Sequence, residues 1–220
     1  MIKVYFYRYD NIKNYNVLMN FTKFSSISRY NYSKSYFHKE NTFNSALAYT
    51  ILCMSIGKYR LEILRGKNGK PYIEGSNLFV SISHTVGLVA IAISDNFDIG
   101  IDCEKLDNID DEVKNITYSN SEIEITKNCP IKSTLFWTAK EALSKLKNED
   151  WYSTKRTELY MIDNTIKETN NRDIIFDYKL ISKGIICLAS SRLNKDKIFI
   201  EVTDDDLVNF CLSSMSNNKV

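Results

Sequence analysis

One short segment alternates apolar and polar residues: Ile99-Gly100-Ile101-Asp102-Cys103-Glu104-Lys105. Because the side chains of a β-strand point alternately to opposite faces, this pattern predicts a strand with Ile99, Ile101 and Cys103 facing a core. Asp102 and Glu104 then share the other face with Gly100, where the missing side chain would let a ligand approach the backbone. Mg²⁺ binds one or two carboxylates together with water and substrate phosphates, so this face is a candidate magnesium site. An exposed strand end with two solvated carboxylates is the alternative.

The composition is that of a globular protein. Of the 220 residues, 44% are apolar and 25% are charged, which predicts one large domain or two small ones with a sizeable core. The net charge of +2 is too small to indicate binding to nucleic acid or to a membrane surface.

The cysteines and the apolar runs bear on the cellular compartment. Five cysteines, an odd number with no Cys-x-x-Cys spacing, favour a reducing compartment and argue against a zinc cluster. The N-terminal residues lack the long apolar segment and the cleavage site of a signal peptide. The longest apolar runs, at 88–93 and 184–189, are too short to cross a bilayer. We therefore expect a cytoplasmic protein.

The pattern of elements predicts an α+β fold built from two similar halves, residues 1–105 and 106–220. Each half contains one clear helix followed by three strands joined by tight turns. The helices are predicted at 44–56 and 133–147, and the strands at 78–83, 88–94, 98–104, 173–180, 184–190 and 197–202. Residues 95–97 resemble a hairpin connection. We expect a pseudo-dimer of two helices packed on two small antiparallel sheets, with the active site in the cleft between the halves.

The second predicted helix carries a polar stripe. Trp137, Lys140, Glu141, Ser144 and Lys145 stand at i, i+3, i+4, i+7 and i+8, positions that share one helical face. A solvated face of neighbouring acids and lysines is the alternative, but a tryptophan is unusual on such a face. The stripe therefore predicts a face that lines a site.

Two single residues add to this picture. His84 ends the predicted strand 78–83 with small polar neighbours, where an imidazole could bind a phosphate. Lys70 lies between Gly69 and Pro71 in a constrained loop, and lysine is a suitable point charge for phosphate. Taken alone, each would be interpreted as a surface residue. The sequence has no Gly-rich dinucleotide motif, P-loop, zinc-protease motif or nucleophile elbow.

Taken in order, four segments resemble the signature motifs of the 4′-phosphopantetheinyl transferases, in their larger, single-chain, surfactin-synthetase-activating type. These segments are Gly69-Lys70-Pro71, Phe79-Val80-Ser81-Ile82-Ser83-His84-Thr85, Gly100-Ile101-Asp102-Cys103-Glu104 and Trp137-Thr138-Ala139-Lys140-Glu141. The resemblance covers residues 69–145 well and the two ends loosely. It implies a pseudo-dimeric fold and transfer of phosphopantetheine from coenzyme A to a serine of a carrier protein, with release of 3′,5′-ADP.

The resemblance also implies roles for individual residues. Asp102, Glu104 and Glu141 would bind Mg²⁺, and Glu141, Lys145 and His84 would be catalytic, with either Glu141 or a metal-bound water as the base. The residues implied in coenzyme A binding are Arg29, Ser45, Lys70, Pro71, Ser83, His84, Lys140 and Lys145. The partner would be an acyl or peptidyl carrier protein, of fatty-acid, polyketide or nonribosomal-peptide synthesis, which we expect to contact the region after Asp107. The pseudo-dimer favours a monomer.

Some positions depart from the family pattern. Tyr32 and Asn44 stand where the family often has basic residues, which puts the binding of the 3′-phosphate in question and predicts weak discrimination against 3′-dephospho-coenzyme A. The loop at 147–151 lacks the usual glycine. These departures leave a second hypothesis open, a catalytically degenerate module that binds coenzyme A or a carrier protein. A nucleotide-dependent phosphatase is a third, which rests on the acidic residues alone.

Overall fold

The computed structural model describes residues 1–107, 109–149, 157–191 and 196–216. The helices of these residues are α1 (Tyr15–Ser25), α2 (Ile27–Lys34), α3 (Lys39–Ile56), α4 (Asp111–Thr117), α5 (Asn120–Thr126), α6 (Pro130–Lys147) and α7 (Asp204–Ser216). The strands are β1 (Ile2–Arg8), β2 (Ile63–Arg65), β3 (Pro71–Ile73), β4 (Phe79–Thr85), β5 (Leu88–Ser94), β6 (Ile99–Lys105), β7 (Leu159–Ile162), β8 (Thr165–Glu168), β9 (Ile174–Ile181), β10 (Gly184–Ser191) and β11 (Lys197–Glu201).

The strands form small sheets, so the predicted α+β class is confirmed. The largest sheet has the order β11-β1-β5-β4-β3-β2, and only the pairing of β11 with β1 is parallel. A second sheet has the antiparallel order β6-β10-β9, and β7 pairs with β8 in a hairpin.

The two larger sheets pack face to face, and a long helix covers the outer face of each. Val4 and Phe6 of β1 pack against Ile101 and Cys103 of β6 in the layer between the sheets. Helix α3 packs on the other face of the large sheet, and α6 packs on the other face of the three-stranded sheet. This arrangement places the apolar side chains of β6 in a core, as its alternating sequence predicts.

The pairing of β6 differs from the prediction. Residues 95–97 were expected to join β5 and β6 in a hairpin, but β6 pairs with β10 instead. The reason lies in the burial of β6, which is covered by the large sheet on one face and by α6 on the other. A Cβ added at Gly100 would lie 1.9 Å from the carbonyl oxygen of Ala142 in α6. The prediction that Gly100 admits a ligand is therefore wrong, because this glycine admits a helix.

Several elements were not predicted from the sequence. Helices α1 and α2 occupy a polar region of uncertain helix content, and the β7–β8 hairpin and α7 had no assignment. Helices α1 and α7 pack on the same core as α3, through Leu18 and Leu207 among others. All five cysteines are free thiols. Within the described ranges, no helix is long and apolar enough to span a membrane.

Candidate active site

A cavity of about 260 Å³ lies between α2, α3, β4 and the C-terminal end of α6. It brings together six of the residues predicted to form the site, namely Arg29, Ser45, Lys70, Pro71, His84 and Lys145. Ser81, Ile82, Arg65 and Tyr36 line it as well. Most of the charged groups in its wall are cations, so the cavity suits an anion such as a phosphate ester.

Arg29 is held rigidly at one wall of the cavity. Its Nη2 donates to the backbone carbonyl and to the hydroxyl of Ser45, at 3.2 and 3.1 Å. Its guanidinium lies over the ring of Tyr32, 4.6 Å from the centroid. Its Nε is buried and has no hydrogen-bond partner among the described residues. Because burial and nearby Arg65 lower the pKa of Arg29, an anion in the cavity would relieve a real electrostatic cost.

Arg65 is a cavity residue that the sequence did not identify. Its Nη2 donates to the hydroxyl of Tyr32 at 2.9 Å, and its Nη1 donates to the carbonyl oxygen of Gly69 at 2.8 Å. Tyr32 therefore lies between two guanidinium groups. Burial raises the pKa of Tyr32, but a hydrogen bond with Tyr36 and the charges of Arg65 and Arg29 outweigh it and lower that pKa overall. Arg65 belongs to none of the sequence motifs, so its place in the cavity is recognised only from its contact with Tyr32 in the structure.

Asn44 lies outside the cavity. It is 1% exposed, its Oδ1 accepts from the Tyr9 hydroxyl at 2.7 Å, and its Nδ2 donates to the Thr85 carbonyl oxygen at 3.4 Å. An amide at this position therefore removes no charged donor from the cavity. Arg29 and Arg65 supply positive charge in the cavity wall, and the expected weak discrimination at the 3′-phosphate stays a prediction.

Asp102 lies beside the cavity and is 4% exposed. Its Oδ1 accepts from the hydroxyl of Ser83 and from Nζ of Lys145, both at 2.7 Å. Nζ of Lys145 also donates to Ser83 Oγ at 3.0 Å. The other oxygen, Oδ2, is buried and has no hydrogen-bond partner among the described residues. A buried carboxylate oxygen without a partner is costly, and a cation would satisfy it.

Two further carboxylates are coupled to Asp102. The nearby side chains of Thr85 and Trp137 lower the pKa of Glu104, but burial and the charge of Asp102 outweigh them and raise it to about 7. Burial and Asp102 also raise the pKa of Glu141, which faces Lys145 as well. Among the described residues, however, no three His, Cys, Asp or Glu side chains are grouped as closely as a complete protein metal site requires.

The donor chemistry of these three residues fits Mg²⁺. This ion takes hard oxygen ligands, keeps several waters and is usually bound by one or two carboxylates and substrate phosphates. Asp102 offers its unpartnered oxygen, and the raised pKa values of Glu104 and Glu141 show that uncompensated negative charge is costly here. The predicted ligands are thus suited to an ion shared with an anion in the cavity.

The protonation states of the two basic groups near Asp102 differ. Burial favours neutral Lys145, but the charge and hydrogen bond of Asp102 outweigh it and raise the pKa of this lysine. The pKa of His84 is lowered by burial, by Lys145 and by Arg29. Near neutral pH His84 therefore offers a neutral hydrogen-bonding group, and its role in phosphate binding stays a prediction.

Lys70 and Lys140 have other partners. Nζ of Lys70 lies 2.6 Å from Asp98 Oδ1 and 3.3 Å from the carbonyl oxygen of Leu146, so it forms the rim of the cavity. Lys140 points away from the cavity and forms a buried ion pair with Glu122. Lys140 belongs to the predicted polar stripe, but its ion pair with Glu122 gives no support to the prediction that Lys140 binds coenzyme A.

A larger cleft of about 580 Å³ opens at the ends of β1, β5 and β10. Its charges are largely neutralised within its own wall, because Arg8 pairs with Glu201 and Lys183 pairs with Asp10. The smaller cavity, with its excess of cations and its adjacent carboxylates, is therefore the better candidate for chemistry.

Comparison with known protein families finds no match for this chain, and comparison with curated protein sequences finds none either.

Proposed function

We propose that this chain is a magnesium-dependent 4′-phosphopantetheinyl transferase that acts on coenzyme A and an apo-carrier protein. The observation that carries the proposal is the position of Lys145, which lines the cationic cavity and also binds Asp102 of the carboxylate group. Phosphate-binding cations and metal-binding carboxylates therefore meet at one side chain. That combination is suited to a pyrophosphate held partly by protein and partly by Mg²⁺.

The topology supports a chain of two related halves, residues 1–105 and 106–220. Helices α3 and α6 have 18 residues each, and each covers one of the two packed sheets. Strand β6 of the first half joins the sheet of β9 and β10, while β11 of the second half joins the large sheet beside β1. In this proposal the site lies at the junction, because β4 comes from the first half and α6 from the second.

Within this function, the cavity binds the nucleotide end of coenzyme A. Arg29, Arg65, Ser45 and Lys70 supply donors for the 3′-phosphate and the nucleotide, and Pro71 lines the rim of the cavity beside Lys70. Lys145, Ser83 and His84 lie next to Asp102 and supply donors for the pyrophosphate. The phosphates would thereby bridge the cavity and the carboxylates.

The carboxylates Asp102, Glu104 and Glu141 would hold Mg²⁺, which neutralises charge on the pyrophosphate when bound. A bond forms between the carrier serine oxygen and the β-phosphorus of coenzyme A, and the bond from that phosphorus to the departing 3′,5′-ADP breaks. Lys145 donates to the oxygens on which negative charge accumulates. The serine proton would pass either to Glu141 or to a water held beside the carboxylates.

One observation favours a second candidate, a module that binds coenzyme A or a carrier protein without catalysis. The three acidic residues are not grouped as a complete metal site within the described part of the chain. In the loop at 147–151, which departs from the family pattern, residues 150 and 151 lie outside the described residues, as does residue 108 in the expected carrier-binding region.

The two candidates are separated by incubating the protein with coenzyme A, Mg²⁺ and a panel of apo-carrier proteins of fatty-acid, polyketide and nonribosomal-peptide type. The expected result is a mass gain of one phosphopantetheine group on at least one carrier, and loss of that gain with a chelator. Binding of coenzyme A without any mass gain across the panel would favour the non-catalytic module.

A further inference from the structure

A buried ion pair joins α6 to the segment of α4 and α5. Nζ of Lys140 lies 2.7 Å from Oε2 of Glu122, and the two side chains are 2% and 0% exposed. Removing two charges from water is costly and is tolerated when the remaining donors and acceptors have partners. The surroundings of this pair meet that condition.

Every polar atom of the pair is used at the corner between α4 and α5. Glu122 accepts the backbone N–H groups of Ser119 and Leu159, each at 2.7 Å, and Lys140 donates to the carbonyl oxygen of Thr117 at 2.6 Å. Thr117 ends α4 and Glu122 lies in the first turn of α5, so the ammonium and the carboxylate also match the two helix dipoles. The pair therefore joins α4, α5 and β7 to one point on α6.

The opposite side of α6 is fixed by a different contact. Gly100 of β6 lies directly against the helix backbone at Ala142, where a Cβ would come within 1.9 Å of the carbonyl oxygen. Successive residues of an α-helix are rotated by about 100° about its axis. Fixing the residue before Glu141 and the residue after it therefore determines where the Glu141 side chain points. Lys140 and Ala142 are such anchors.

We propose that Lys140 and Glu122 are positioning residues, which fix the rotation of α6 and so hold Glu141 and Trp137 against the carboxylates of β6. The effect on catalysis rests on the proposed transferase function, whereas the effect on the orientation of α6 does not. Neither residue touches the cavity, so any change in the site would be transmitted through the helix.

The test removes both charges together, in the variant Lys140→Met/Glu122→Gln, because a single substitution would leave an unpaired buried charge. The matched control is Lys147→Met/Glu168→Gln, which neutralises a second lysine–glutamate pair, formed by a partly exposed lysine of α6 and a buried glutamate of β8, with Nζ and Oε1 2.8 Å apart. Both are made in a Trp151→Phe background, so that Trp137 is the only one of the two tryptophans that remains.

We expect the first variant to shift the fluorescence emission of Trp137 and to raise at least tenfold the Mg²⁺ concentration required for half-maximal transfer, while the control changes neither. Unchanged Trp137 emission in a folded first variant, or an equal shift in the control, would overturn the proposal. If the parent protein transfers no phosphopantetheine, the proposed function fails, and the emission of Trp137 still decides the positioning role.

Discussion

Helix α6 carries three lysines that bind buried carboxylates, and two of these pairs, Lys140–Glu122 and Lys145–Asp102, differ in how completely their polar atoms are used. In the pair of Lys140 and Glu122, both carboxylate oxygens accept hydrogen bonds and the ammonium has a second partner. In the pair of Lys145 and Asp102, one carboxylate oxygen is buried without a partner among the described residues, and the side chain of Lys145, which lines the cavity, is 31% exposed. A complete network is suited to holding elements together, whereas an incomplete one beside a cavity is suited to a ligand.

The largest effect is expected when the incomplete pair is changed. Asp102→Asn should reduce phosphopantetheine transfer roughly a thousandfold, because loss of a metal ligand removes several kcal/mol of charge stabilisation at about 1.4 kcal/mol per factor of ten. The free energy of unfolding should change less than at a fully buried pair, because the side chain of Lys145 is 31% exposed and the new amide oxygen can still accept from Ser83 and Lys145. Steady-state kinetics and denaturant unfolding measure the two quantities. Near-normal turnover would show that Asp102 binds no metal.

Glu104→Ala should reduce transfer less than Asp102→Asn if water can replace the Glu104 ligand, and the same kinetics measure this difference.

The complete pair should behave in the opposite way. Glu122→Gln should lower the free energy of unfolding by about 3 kcal/mol, since breaking a buried ion pair leaves Lys140 uncompensated while the amide oxygen still accepts a backbone N–H. Denaturant unfolding checks this value, with Glu124→Gln on the exposed side of the same helix as the control. A stability equal to that of the wild type would contradict a structural role for this pair.

A smaller effect is expected at the far wall of the cavity. Arg65→Met should lower kcat/KM for coenzyme A roughly tenfold and leave that for 3′-dephospho-coenzyme A unchanged, because one charge-assisted hydrogen bond contributes about 1.5–3 kcal/mol. Lys67→Met changes an exposed cation two residues away, outside the cavity lining, and is the matched control. Equal losses with both donors would mean that Arg65 does not contact the 3′-phosphate.

Asn44→Arg should destabilise the fold without improving discrimination between coenzyme A and 3′-dephospho-coenzyme A, because Asn44 is buried outside the cavity.

The smallest effect concerns pH. Folding raises the pKa of Glu104 from the ordinary 4.5 to about 7, so between these values the folded protein binds more protons than the unfolded chain. Stability is therefore expected to fall as pH rises from 4.5 to 7, by roughly 1 kcal/mol after solvent screening. Thermal unfolding of wild type and Glu104→Gln across this range isolates the contribution of this residue. Parallel pH profiles for the two proteins would contradict it.

The sequence predicted the faces of β6 correctly but not its partner. A period of two is a local property of Ile99 to Glu104, whereas the choice between β5 and β10 depends on packing with residues about 85 positions away. The polar stripe on α6 had the same limit. Lys140 and Lys145 are five residues apart, about 140° around the helix, so they lie at opposite edges of the stripe and contact different neighbours.

The cavity shows what a motif can and cannot identify. Six predicted residues meet there because the fold brings together α2, α3, the loop that enters β3, β4 and α6, on which these residues lie. Arg65 was missed because it belongs to a three-residue strand with no motif, and its contact with Tyr32 spans 33 positions. The two departures from the family pattern, Tyr32 and Asn44, have different surroundings in the structure. Tyr32 lies between two guanidinium groups, whereas Asn44 is hydrogen-bonded to Tyr9.

The central claim is that the cationic cavity and the carboxylates beside it form one site for Mg²⁺ and the phosphates of coenzyme A. Calorimetric titration of coenzyme A with and without Mg²⁺, into wild type and Asp102→Asn, tests this directly. We expect Mg²⁺ to tighten binding at least tenfold in the wild type and to have no effect in Asp102→Asn. The claim would be contradicted if the wild type bound coenzyme A with the same affinity in the presence and absence of Mg²⁺, or did not bind it at all.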